Sequence, residues 1–269
     1  MVPDGHGVAT LSVMDLLLLS NSTNHGDRMF RHAAEAFVDI AAGDIVTFIP
    51  FALADWDDYA DRVTWALGEL DIEVRSAHRS SDPAQTILDA PVVMMGGGNT
   101  FRLLDTLYSL DVVDRLSTNV RDGATRYMGA SAGTNVACPS IRTTNDMPIC
   151  LPPTFTALGL VPFQINLHFV DADPATTFMG ETREERIGEF LEENDCPVLA
   201  MYEGSWLRIG SDVLGRDGES GHSAVVTGRS RLFERAGCES FEEGLDVSQL
   251  LGLDPRFDDG RRPDGPGGT

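Results

Sequence analysis

Four leucines in succession, Leu16–Leu19, stand between Asp15 and Ser20, and this run constrains the fold more than any other feature of the chain. It is too short for a buried helix and lacks the polar alternation of a strand with one wet face. An apolar run of this kind, bounded by polar residues, is a strand covered on both sides. Similar runs recur, so strands are expected at 15–19, 44–49, 72–75, 91–95 and 125–128. Between them lie amphipathic stretches at 27–42, 57–70, 82–89 and 99–122, the last broken near Leu110. Short apolar strands alternating with longer helices predict an α/β fold with a mainly parallel sheet flanked by helices. After Gly133 the pattern changes to a loop rich in Thr and Pro, a strand at 161–165 and a helix over 181–192. Strand-like runs follow at 198–202, 206–209, 224–227 and 231–234. Neither a repeat nor a linker interrupts the chain. One domain is therefore expected over 14–235, with 1–13 as an N-terminal extension and 254–269, rich in Asp, Gly, Pro and Arg, as a disordered tail.

With 269 residues, 42% of them hydrophobic, the chain can bury a core without disulfides or a structural metal. Its four cysteines, Cys138, Cys150, Cys196 and Cys238, form no CxxC pair or ligand cluster, which suits a reducing compartment, and no metal is expected. No targeting signal precedes the first strand, and no apolar stretch approaches the roughly 20 residues a bilayer span needs. A cytoplasmic protein is the expectation. The formal net charge is −22, and every one of the 20 basic residues is arginine. Such a surface repels nucleic acid and anionic membranes. Dense acid without lysine fits a protein kept soluble in concentrated salt; a base composition favouring Arg codons accounts for it equally well. An acidic substrate would need a local positive group.

Gly129-Ala130-Ser131-Ala132-Gly133 is a GxSxG motif between an apolar strand and an expected helix, the setting a nucleophile elbow requires. Glycines relieve a turn too tight for side chains, lift the serine hydroxyl above the sheet and point the next helix N-terminus at developing negative charge. A serine nucleophile needs a base. Of the six histidines, His168 follows a strand in the segment 163–169, which puts it at the C-terminal sheet edge where α/β sites form. His25, after the first strand, is the second candidate. The base needs an orienting carboxylate. Asp146, in a polar loop after the elbow, and Glu203, at the end of a later strand, can each approach His168, and spacing does not choose between them. Gly96-Gly97-Gly98-Asn99 follows the strand at 91–95 and opens a helix. Its backbone N–H groups near Gly98, with that of Ala132, suit an oxyanion hole. Neither GxGxxG nor a following Lys-Ser/Thr is present, so a nucleotide is not expected.

The segments 16–23, 48–52, 56–59, 96–104, 131–149, 165–169, 180–187 and 203–206 together resemble the S51 family of serine peptidases, in family order from about Asp15 to Glu234. The long run around Ser131 carries the resemblance far more specifically than GxSxG does. It implies a flavodoxin-like architecture similar to class I glutamine amidotransferases, with serine in place of cysteine. It also implies hydrolysis of dipeptides with N-terminal aspartate and no cofactor. By motif, Ser131 is the implied nucleophile and His168 the general base, with Asp146 and Glu203 both matching acidic positions for the third member. Asn99 and Arg183 match positions that grip the substrate aspartate, and a guanidinium is a natural carboxylate partner. Ala130, Leu167 and Tyr202 depart from the family pattern beside the site and bear on substrate range. A relative acting on another aspartyl compound, in the manner of a cyanophycin-degrading peptidase, and a non-catalytic module binding an acidic ligand are the alternatives. The expected partner is a small-molecule dipeptide, and the chain is either a monomer or a homodimer.

Overall fold

A computed structural model describes residues 14–175, 177, 179–212 and 221–257. The expected extension at 1–13 and positions 258–269 of the expected tail lie outside the described residues. In chain order the first half runs β1 (Leu16–Leu19), α1 (Ala34–Ala41), β2 (Val46–Ile49), α2 (Trp56–Gly68), β3 (Val74–Ser76), α3 (Pro83–Leu88), β4 (Val92–Met95), α4 (Thr100–Ser109), α5 (Val113–Arg121), β5 (Arg126–Ala130) and α6 (Ala132–Ala137). The second half runs β6 (Gln164–Asn166), α7 (Arg183–Glu193), β7 (Val198–Met201), β8 (Trp206–Asp212), β9 (Gly221–Thr227), β10 (Ser230–Glu234), β11 (Gly237–Phe241) and β12 (Leu245–Asp246).

One sheet has the order β12-β9-β8-β1-β5-β4-β2-β3. From β1 to β3 every pairing is parallel, and β8, β9 and β12 extend the sheet with antiparallel pairings. The leucine run shows why this sheet forms. Leu16 and Leu18 pack on the face covered by α3, α4, α5 and α6, while Leu17 and Leu19 pack on the face covered by α1 and α2. Successive strand side chains point to opposite faces, so only an all-apolar strand can be buried between two helical layers. A second sheet, ordered β11-β10-β7-β6, carries α7 over Phe169, Val198, Ala200 and Phe233.

Several boundaries differ from the sequence expectation. The helix expected from residue 27 begins at Ala34 after a short 3-10 turn, because Phe30 takes a left-handed φ of 63° and its N–H donates to Ser22 O at 2.7 Å. The break expected near Leu110 is present, with Asp111 at φ 54° between α4 and α5. Beyond residue 235 the chain continues in the fold. There β12 pairs with β9, and Val247 and Leu250 join the core. These strands escape a sequence reading because β11 is almost wholly exposed, so it has no buried face to show a period, and β12 is two residues long. Among the described residues no helix is long and apolar enough to cross a membrane, and no cluster of metal-ligating side chains occurs.

Candidate active site

Ser131 sits where β5 turns into α6, with φ 51° and ψ −110°. A non-glycine residue in such a conformation carries strain of about 1–3 kcal/mol, and local hydrogen bonds hold it there. Ser131 N–H donates to Leu19 O at 3.1 Å, and the N–H groups of Thr134 and Asn135 donate to Ser131 O at 2.8 and 3.0 Å. Thr134 Oγ1 donates to Leu19 O and Gly129 O, and the buried Tyr127 hydroxyl donates to Gly133 O at 2.6 Å. Both motif glycines are sterically required. A Cβ on Gly129 would lie 2.7 Å from the Gly133 carbonyl carbon, and one on Gly133 would lie 2.8 Å from that of Met95.

His168 follows β6 with φ 52°. Its backbone is fixed from three sides: its N–H donates to Ser20 Oγ at 3.1 Å, Asn145 Nδ2 donates to Leu167 O at 2.7 Å, and Phe169 N–H donates to Met201 O at 3.1 Å. This aims the ring at the elbow, with Nε2 at 2.9 Å from Ser131 Oγ. Nδ1 lies 3.1 Å from Glu203 Oε1. Glu203 stands in a tight turn after β7, where Ser205 N–H donates to Tyr202 O, Gly204 takes φ 86° and Gly204 N–H donates to Asn21 Oδ1 at 2.7 Å. Asp146 turns elsewhere, accepting from Thr100 N–H at 2.7 Å and Thr100 Oγ1 at 2.6 Å at the start of α4. Thus the carboxylate that reaches His168 is Glu203. His25 is exposed, and the ring that reaches Ser131 is that of His168.

The glycine loop presses on the elbow, for a Cβ on Gly97 would lie 3.2 Å from Ser131 Cβ. Gly97 N–H donates to Tyr59 Oη at 2.7 Å, and the neighbouring Gly98 takes φ 137° against Ala52 O. Nothing in the segment 56–59 by itself links Tyr59 to this loop, because α2 brings it in from another part of the chain. Burial pushes its hydroxyl up to about 12, so it stays protonated. Asn99 caps α4: its Oδ1 accepts from Arg102 N–H and its Nδ2 donates to Met147 O at 2.8 Å, leaving one amide hydrogen and one lone pair for a ligand.

Arg183 opens α7 and lines a cleft of about 260 Å³ with Val170, Asp171 and Arg186. Burial lowers the pKa of its guanidinium, the like charge of Arg186 adds to this, and Asp146 opposes it. No described carboxylate is within ion-pair distance of Arg183, so its charge is available to a ligand. Of the three departures from the family pattern, Ala130 and Leu167 are buried and Tyr202 is half-buried. Another serine, Ser76, has its Oγ 2.7 Å from His78 Nδ1, and His78 Nε2 lies 3.2 Å from Asp57. Ser76 is only 6% exposed, so this set braces β3 against α2 and offers no reactive hydroxyl.

The family model described as Peptidase family S51 matches residues 16–214. Peptidase E of Streptomyces coelicolor is 50% identical over 253 residues, covering 93% of this chain and all of that protein. A probable alpha-aspartyl dipeptidase of Drosophila melanogaster is 39% identical over 246 residues, covering 89% and 98% respectively. Among solved structures, a putative peptidase E protein from Listeria monocytogenes shares the fold at a TM-score of 0.55 and 22% identity, covering 74% of this chain and 95% of that one. A peptidase from an acI-B1 actinobacterium shares it at a TM-score of 0.57 and 13% identity, covering 88% and 98%.

Proposed function

The chain belongs to peptidase family S51, and from that premise we propose that it is a serine-type dipeptidase releasing N-terminal aspartate from Asp-X dipeptides through an acyl-enzyme. The observation that carries this reading is the line Ser131–His168–Glu203, with Ser131 Oγ 2.9 Å from His168 Nε2 and His168 Nδ1 3.1 Å from Glu203 Oε1; Arg183 supplies the cation that an acidic substrate needs in a protein of net charge −22. His168 Nε2 takes the Ser131 hydroxyl proton as Oγ attacks the peptide carbonyl. Gly98 and Ala132 N–H groups receive the oxyanion. When the tetrahedral intermediate collapses, the C–N bond breaks and His168 returns its proton to the leaving amine. Water then attacks the acyl ester. His168 takes the water proton and passes it to Ser131 Oγ, and aspartate leaves. Glu203 holds the Nδ1–H tautomer and stabilises the imidazolium. Arg183 pairs with the side-chain carboxylate of the substrate, and the spare amide hydrogen of Asn99 reaches the same end. Asp146 shapes the loop that carries Asn99 and Thr100.

Hydrolysis of Asp-Leu, N-blocked Asp-Leu and Ala-Leu by wild type, Ser131→Ala and Arg183→Met tests the proposal. Ser131→Ala is expected to be inactive. Arg183→Met is expected to raise KM for Asp-Leu while leaving weak Ala-Leu turnover nearly unchanged. An active Ser131→Ala enzyme, or cleavage of the N-blocked substrate as fast as the free one, would overturn it.

A further inference from the structure

The two loops that deliver His168 and Glu203 leave neighbouring strands, β6 and β7, and a second set of side chains ties them together beyond the reacting groups. Tyr202 directly precedes Glu203, and Asp171 lies three residues after His168. Tyr202 Oη donates to Asp171 Oδ1 at 2.6 Å. The Arg229 guanidinium lies 4.1 Å above the Tyr202 ring and 3.0 Å from Asp171 Oδ2, so one cation grips both residues. Arg229 O also accepts from Tyr202 N–H at 3.3 Å and from Ser205 Oγ at 2.7 Å, which holds the Glu203 turn from both ends. On the other side, the Phe169 ring meets the Tyr202 ring edge-on at 5.2 Å, and Arg231 lies 5.5 Å over Phe169 and 3.7 Å from Asp171. The bond to Tyr202, followed by the charges of Arg229 and Arg231, holds the Asp171 carboxyl below its usual range, while burial and Asp171 push the Tyr202 phenol up to about 12. Donor and acceptor therefore keep their roles across the working pH range. Asp171 and Arg229 are both substantially exposed, and exposed ion pairs contribute little to stability. Their consequence lies in geometry instead.

We propose that Tyr202 is a positioning residue, which with Asp171 and Arg229 cross-braces the His168 and Glu203 loops so that the Glu203 carboxylate stays on His168 Nδ1. The proposal rests on the reading of Ser131, His168 and Glu203 as the reacting line. Removing the Tyr202 hydroxyl frees the Glu203 turn to drift from the imidazole. The imidazolium that forms as Ser131 gives up its proton then loses the carboxylate that stabilises it.

The test follows the rate of covalent labelling of Ser131 by diisopropyl fluorophosphate at neutral pH, which needs no knowledge of the natural substrate. Wild type, Tyr202→Phe, Glu203→Gln and the double variant are compared, with Asp171→Asn, which removes the charge that Tyr202 and Arg229 hold, as a second perturbation of the brace and melting temperature as a check on folding. Tyr202→Phe is expected to slow labelling at neutral pH about fivefold, the size of a charge-assisted hydrogen bond discounted for solvent. Its melting temperature is expected to stay nearly unchanged. In the Glu203→Gln background the same substitution is expected to add almost nothing, because the group being positioned is already gone. Asp171→Asn is expected to shift labelling in the same direction. A labelled wild type with an indifferent Tyr202→Phe overturns the brace alone, as does an equal loss in the Glu203→Gln background. A wild type that is never labelled sinks the reading of Ser131 as nucleophile and the brace with it.

Discussion

Replacing Glu203 by glutamine separates the two carboxylates that compete for the third position. The interaction at stake is that of an imidazolium with Glu203 Oε1 at 3.1 Å, in a pair whose side chains are 38% and 58% exposed. Coulomb's law with an effective dielectric constant between about 40 and about 80, as suits a half-solvated pair, gives ~1.3–2.7 kcal/mol at this separation. Lost from the transition state alone, this lowers kcat about 10- to 100-fold, well short of the ~10⁴ that follows loss of a buried triad aspartate. Asp146→Asn perturbs a different contact, the pair of hydrogen bonds to Thr100 at the start of α4. It is expected to cost about 0.5–2 kcal/mol of stability, the range for a helix cap, and to change kcat by less than about threefold. Removing this anion also leaves Arg183 less opposed, so KM for Asp-X should fall slightly. Steady-state hydrolysis of Asp-Leu between pH 5 and 9, with melting curves for each variant, reads both effects. A folded Asp146→Asn enzyme losing more kcat than Glu203→Gln would refute the assignment of Glu203 to His168.

Three further outcomes follow from the same structure. Both ring nitrogens of His32 are buried without a hydrogen-bond partner among the described residues, and burial lowers its pKa below 6.5, with Asp27 only partly opposing. Below pH 6.5 the unfolded chain therefore binds a proton that the folded chain resists. The melting temperature should fall as pH drops through that value toward the folded pKa, and His32→Phe should flatten the dependence; an unchanged slope would refute it. At a net charge of −22, added KCl screens self-repulsion, so the melting temperature should rise with salt, and a flat curve counts against adaptation to a salty medium. Gly133→Ala drives a Cβ against the Met95 backbone, so it should destabilise the protein by about 1–3 kcal/mol and reduce Ser131 labelling, as a shift in melting temperature and labelling rate would reveal.

Much of the fold was legible before any coordinates. Leu16–Leu19 has no polar side, so it had to be a strand between two layers, and the helical segments between such strands left a parallel sheet as the outcome. Gly129 and Gly133 marked the elbow because only glycine leaves room there. His168 was marked by its place at the end of a strand, where its ring does reach Ser131. The short, exposed strand β11 was not legible, since it buries no face, and neither was the start of α1, which a left-handed Phe30 decides. Asp146 and Glu203 were equivalent on paper, as both are acidic residues near the same sheet edge. Local spacing reports the period of one segment and the face it buries. It does not report distances between side chains on segments far apart in the chain. The parallel register that sets Asn166 beside Ala200 brings the Glu203 turn to His168, while Thr100 at the start of α4 captures Asp146. The contact of Tyr59 with the glycine loop and the Tyr202–Asp171 bond arise in the same way, from tertiary packing that no local pattern encodes.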